Sequence, residues 1–96
     1  MSKNQPEYLG KILINLLRNL GIESKVKEHE VIVKWPIIVG QKISNITKAE
    51  KTVDGILFVK VKKNAWRSEL IFLKKDILTK IDETIGAGII KDIRFI

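Results

Sequence analysis

Three features of this chain predict an α+β fold of order α-α-β-β-α-β, with a three-stranded sheet packed on one face by helices. Two long apolar stripes recur at helical spacing, one near each end of the sequence. Between them Asp54-Gly55, a strong hairpin signal, leads into an alternating run over residues 56–62. A second alternating run closes the chain at 89–96, and the hairpin needs this third strand because two strands alone are marginal in water. The 96 residues are read as one domain, 1–96, long enough to bury a core without staples.

The first helix opens at Pro6 and Glu7. Leu9, Ile12, Leu13, Leu16, Leu17 and Leu20 recur at steps of three and four, Lys11, Asn15 and Arg18 lie opposite, and Gly21 stops it. Ile14 falls off that stripe, so this helix carries more apolar surface than one stripe needs. Ser24 is the expected cap of a second helix, in which Val26, His29, Ile32, Trp35, Val39 and Ile43 keep a helical period. Pro36 sits inside that period. Because proline removes a backbone donor and clashes with the turn before it, a kink or a fresh helix start is expected there. The β-branched run 31–35 leaves a strand as the alternative. Residues 46–53 alternate raggedly into the turn. Beyond it Leu57, Val59 and Val61 face one way, and Ile56, Phe58, Lys60 and Lys62 the other. Asn64 is the expected N-cap of the last helix, whose Trp66, Leu70, Leu73, Ile77, Ile81 and Ile85 form the most regular stripe of the chain, ended by Gly86. In the last strand Ile89, Lys91, Ile93 and Phe95 alternate with Ile90, Asp92, Arg94 and Ile96.

Charge and composition narrow the function. The window 42–75 sets Lys42, Lys48, Lys51, Lys60, Lys62, Lys63, Arg67, Lys74 and Lys75 against Glu50, Asp54 and Glu69, and so holds most of the net charge of +7. A polarised positive field attracts polyanions and speeds encounter with them, which makes nucleic acid the first candidate partner. Cysteine is absent, which excludes disulfides, thiolate metal sites and thiol nucleophiles. The start of the chain is polar, and no apolar run approaches the ~18 residues that span a bilayer, so the expected compartment is the cytoplasm. The basic segment is not an amphipathic helix with one cationic face, so no membrane partner is expected. His29 is the only histidine, and no nucleophile has a base and an orienting group beside it, so no catalytic residue is assigned. No ligand cluster suggests a metal, and the glycines match neither a P-loop nor a dinucleotide fingerprint. No cofactor and no small-molecule substrate are therefore expected.

What remains is a set of candidate nucleic-acid contacts. Lys60, Lys62, Lys63 and Arg67 would meet phosphates, and Lys42, Lys48 and Lys51 would extend the track. The alternative is a solvated edge that keeps sheets from pairing with one another. Phe58 projects from the same sheet face as Lys60 and Lys62, with Arg94 on that side, and is the candidate for stacking on an unpaired base. Its alternative is a face covered by a helix. Trp66 and Trp35 are weighed the same way, with burial the stronger reading for both.

Two tryptophan motifs go beyond composition. Trp35-Pro36-Ile37-Ile38-Val39-Gly40-Gln41-Lys42-Ile43, followed by Thr47, resembles the W-x-x-I-V-G-x-x-I…T stretch of the DciA family of bacterial replicative-helicase operators. Gly55 to Val61, followed by Asn64-Ala65-Trp66-Arg67-Ser68-Glu69-Leu70, resembles that family's G-x-L-x-V-x-V…A-W-x-x-E-L, and residues 90–95 are similar to its closing strand. Trp35, Gly40, Gly55, Asn64, Trp66 and Leu70 anchor the likeness, which runs from about Leu9 to Ile96. The resemblance implies a K-homology-like domain that binds single-stranded or forked DNA and helps to place the replicative DNA helicase on it, with RNA binding or pure protein interaction as the alternatives. A standard K-homology grip on RNA uses a G-x-x-G loop, and no two glycines here are three apart. Two departures stand out. Ile46 and Ala49 occupy positions where the family often has His and Pro. The chain is also read as having no separate C-terminal extension, the part implicated in helicase contact in many members.

Overall fold

The structure, a computed structural model, describes residues 6–19 and 21–96. Residues 1–5 and the stripe position Leu20 lie outside what it describes, and of Leu17 it describes the helical backbone alone. Helices α1 (Pro6–Asn19), α2 (Ile22–Val33), α3 (Trp35–Val39) and α4 (Gln41–Ile46) lead into strands β1 (Thr47–Val53) and β2 (Ile56–Val61). A 3₁₀ turn at Asn64–Trp66 starts helix α5 (Arg67–Thr84), and β3 (Asp92–Phe95) follows. The sheet order is β1-β2-β3; β1 and β2 are antiparallel, while β2 and β3 are parallel. A parallel pair cannot be joined by a tight turn, and α5 is the crossover that joins this one. The predicted α+β class and three-stranded sheet are observed.

Pro36 is the reason the second helical segment divides. It stands at the second residue of α3, where a missing N–H costs no helical hydrogen bond. The strand alternative for 31–35 is not adopted. Gly40, at φ 84°, then separates α3 from α4 in a backbone region that side chains disfavour. Ser24 does not cap α2: Gly21, at φ 73°, holds that position, and Ser24 falls inside the helix. The buried residue of α2 is Val31, whereas Val26 is 60% exposed. Asn64 does not cap α5 directly either. It opens the 3₁₀ turn, and α5 begins three residues later. The last strand is shorter than the alternating run, because the 89–91 segment is not part of the ladder.

One hydrophobic core lies between the helices and the inner face of the sheet. Leu57, Val59 and Ile93 enter it from the strands, Ile77 and Ile81 from α5, Ile85 from just past its end, and Val31, Trp35, Ile38 and Val39 from α2 and α3. Burying each such aliphatic side chain stabilises by roughly 1.5–3 kcal/mol before entropy is counted. A buried polar link fixes the helices to the strand: Trp35 Nε1 donates to Thr47 Oγ1 at 3.0 Å, and the Thr47 hydroxyl donates to the Ile43 carbonyl at 2.7 Å. At the other end of β1, Asp54 (φ 50°) and Gly55 (φ 82°) both take positive φ, the combination that lets a two-residue turn match strand twist. Glu28 of α2 accepts the Gly55 N–H at 2.9 Å and holds that turn against the helix. The α1 stripe does not face this core. Leu9, Ile12, Leu13 and Leu16 remain about half exposed, and α1 packs on α2.

Candidate nucleic-acid interface

The outer face of the sheet is built by strand alternation and one irregularity. Leu57, Val59 and Val61 turn inward, so Ile56, Phe58 and Lys60 turn outward. On β1 the inward Thr47 and Ala49 leave Lys48 outward, opposite Lys60. The register then slips: Ala49 opposes Val59 but Lys51 opposes Phe58, so Glu50 is one residue too many. Strict alternation would turn Lys51 into the core with Ala49. The bulge at Glu50 instead brings Lys51 out beside Phe58, with its Nζ 5.2 Å from the ring centroid. On the other side Arg94 of β3 is the ladder partner of Phe58.

Exposed cations therefore flank a half-buried aromatic ring on the outer face. Lys48, Lys51, Lys60 and Arg94 are all exposed there, and alternation carries the exposed Lys62 to the same side, one residue past β2. Phe58 is only partly buried. Lys51 lies over its ring. Like charges directly across an antiparallel pair destabilise it, and Lys48 and Lys60 form such a pair. A polyanion would turn that repulsion into binding. Glu50 is an exposed acid of this face, and Asp92 is engaged by Lys74 at 3.2 Å. The Ile93 backbone N–H, and after it the Lys74 ammonium, hold the Asp92 carboxyl below its ordinary value.

The other candidates stand apart from the outer face. Lys63 is exposed in the loop before the 3₁₀ turn, and Arg67 begins α5. Arg67 Nε is buried without a hydrogen-bond partner, unlike any other side-chain polar atom among the described residues. Lys42 lies on α4, lining a groove with Trp66, Glu69 and Leu70. Trp66 thus belongs to the helical side, and Trp35 is buried at 3% exposure. Among the described residues no group of His, Asp or Glu is placed to hold a metal ion, and no helix is long and apolar enough to cross a membrane.

Comparison with known proteins gives the family of the chain. The family model described as "Dna[CI] antecedent, DciA" matches residues 8–95. The chain belongs to the DciA family. It is 30% identical over 89 residues to a UPF0232 protein of Rhodococcus jostii, covering 93% of this chain and 47% of that protein. A UPF0232 protein of Mycolicibacterium smegmatis is 26% identical over 91 residues, covering 95% and 47%. One from Mycobacterium tuberculosis strain H37Rv is 27% identical over 89 residues, covering 93% and 48%. The chain thus spans about half the length of the curated relatives it matches. DciA is not an enzyme family. The stretch matched to DciA includes every residue of the outer face just described. Its Trp35 and Thr47, read in the sequence as two separate letters of a motif, are one hydrogen-bonded pair.

Two features of the face escaped sequence reasoning. Arg94 was placed on the correct side by alternation but not counted among the contacts; its pairing with Phe58 needs the parallel register. The bulge left only one trace, the ragged alternation of 46–53.

Proposed function

We propose that this DciA-family chain is a non-enzymatic DNA-binding accessory of replication, which captures single-stranded or forked DNA on the outer face of its sheet and helps to recruit or load the replicative DNA helicase. The observation that carries the DNA half is the Lys48–Lys60 pair, two exposed ammonium groups set directly opposite each other beside Lys51 and Arg94. Such an arrangement opposes folding in the free protein and favours it when phosphates lie between the charges. Lys62, Lys63 and Arg67 would continue the phosphate track around the end of β2. Phe58 offers a ring to an unpaired base once Lys51 moves aside, which a duplex cannot exploit because its bases are already stacked. The helicase half rests on family membership and on what the resemblance implies.

The test is fluorescence anisotropy with labelled single-stranded and forked DNA across a salt series, with and without the cognate helicase. Each phosphate neutralised on a single strand adds about −0.7 to the log–log salt slope, so Lys48→Glu with Lys60→Glu should flatten it by about 1.4. Unchanged affinity in that variant would remove the sheet face from the reading. Equal or tighter binding of a matched RNA would move the function from DNA to RNA.

A further inference from the structure

We infer that the groove between α4 and α5 seats helix α1 of a second copy of this chain, so that two molecules exchange their first helices. Leu9, Ile12, Leu13 and Leu16 stand at i, i+3, i+4 and i+7, a spacing that forms one continuous face, and their exposures run from 48% to 57%. The molecule measures 60 Å along its long axis against 22 and 18 Å across, and the stripe of α1, which packs on α2, stays about half exposed outside the core. On the body, Ile43 and Ile46 of α4 face Trp66 of the 3₁₀ turn and Leu70 and Leu73 of α5 across an apolar groove of about 230 Å³. The groove runs on past Val39 and Ile77, and beside it Phe72 is 88% exposed. Among the described residues, the chain thus carries an apolar helix face and an apolar groove that do not meet.

Length, charge and area select a second copy as that occupant. The 14 residues of α1 make a rod of about 21 Å, and the 18 of α5 offer a wall of about 27 Å. The rim of the groove carries Glu69, Asp76 and Glu83 against Lys42 and Lys80, an acidic balance on a chain of net charge +7. This balance repels a polyanion and attracts a basic copy. A stable interface buries roughly 800 Å² per partner, and in an exchanged pair each copy contributes both a helix and a groove, so each surface needs only about half of that. Gly21, at φ 73°, joins α1 to α2 and is the hinge about which the exchanged helix is set. The outer sheet face takes no part in the exchange and stays free in both copies.

Sedimentation velocity on the full chain over a concentration series is expected to show a monomer–dimer equilibrium. Leu13→Glu should weaken the dimer by roughly tenfold or more while leaving the far-ultraviolet spectrum and the melting of the body nearly unchanged. Because the chain has no cysteine, single-cysteine variants report geometry cleanly. A mixture of Leu13→Cys and Phe72→Cys should form the mixed disulfide under mild oxidation, and a mixture of Leu13→Cys and Val53→Cys should not. A monomer at every concentration overturns the inference and leaves the groove to a different protein. So does a Leu13→Cys variant that links only to itself, or a Leu13→Cys/Phe72→Cys double variant that closes within one chain.

Discussion

Thr47 shows how much one hydroxyl can organise. It accepts from the Trp35 indole and donates to the Ile43 carbonyl, so α3 and α4 are tied to the first residue of β1 through an oxygen that is almost out of solvent. Thr47→Val keeps the shape and leaves a buried indole N–H and a carbonyl unsatisfied. Urea unfolding should show a loss of about 1–3 kcal/mol, and Thr47→Ser should restore most of it. Asp92 gives a second test at this scale. Its carboxyl is held below the ordinary value, so it contributes stability above its unfolded pKa that is lost as pH falls through the folded one. Thermal melts of wild type and Asp92→Asn should therefore differ near neutral pH and converge below about pH 4. The residues that make the core were legible one by one, because Leu57, Val59, Ile77, Ile81 and Ile93 each sit in an unbroken period. Thr47 was visible only as a motif letter, since nothing in a linear sequence says which indole a hydroxyl meets.

Among the elements, the hairpin and α5 announce themselves, and the reasons are local. Asp54-Gly55 supplies both left-handed residues of the turn, and the α5 stripe is apolar at every expected step. Gly55→Ala should cost about 1–2 kcal/mol, because a Cβ is strained at φ 82° and would meet the Lys91 side chain at 3.4 Å. The bulge is different in kind. It depends on the pairing of two strands and not on the composition of one, so the ragged run 46–53 hints at it without locating it. Deleting Glu50 should remove the extra residue and leave Lys51 opposite Phe58 on the outer face, in an unbroken alternation from Ala49 to Val53. The expected change in chemical denaturation is therefore small, about 1 kcal/mol or less, and adding Lys51→Ala to the deletion should recover nothing. Ser24 and Asn64 misled for a related reason. Both are good caps by type, but α2 is started by the left-handed Gly21, and α5 is preceded by a 3₁₀ turn.

At the scale of the molecule, charge is divided by side. The outer sheet face and the end of β2 are basic, and the rim along α5 is acid-rich. The sequence exposed the excess over 42–75, yet it could not show that Lys74 is engaged by Asp92, or that Lys42 lies with Trp66 on the helical side. Lys62→Glu with Lys63→Glu should weaken DNA binding to all base sequences alike, with the loss shrinking as salt rises, because phosphate contacts position a strand without reading it. Competition between oligonucleotides of different composition would show any sequence-dependent loss.

The parallel pairing of β2 with β3 has a consequence for how the chain acquires its shape. Among the described residues β3 pairs with β2 alone, and between them lie the whole of α5 and the segment that follows it. On a ribosome the hairpin and the long helix can form while residues 92–95 are still in the tunnel; in refolding, local contacts likewise precede that distant closure. The nascent sheet therefore spends its first moments with the flank of β2 bare. Arg94 arrives with that closure, so the cationic face is complete only once β3 has docked on β2.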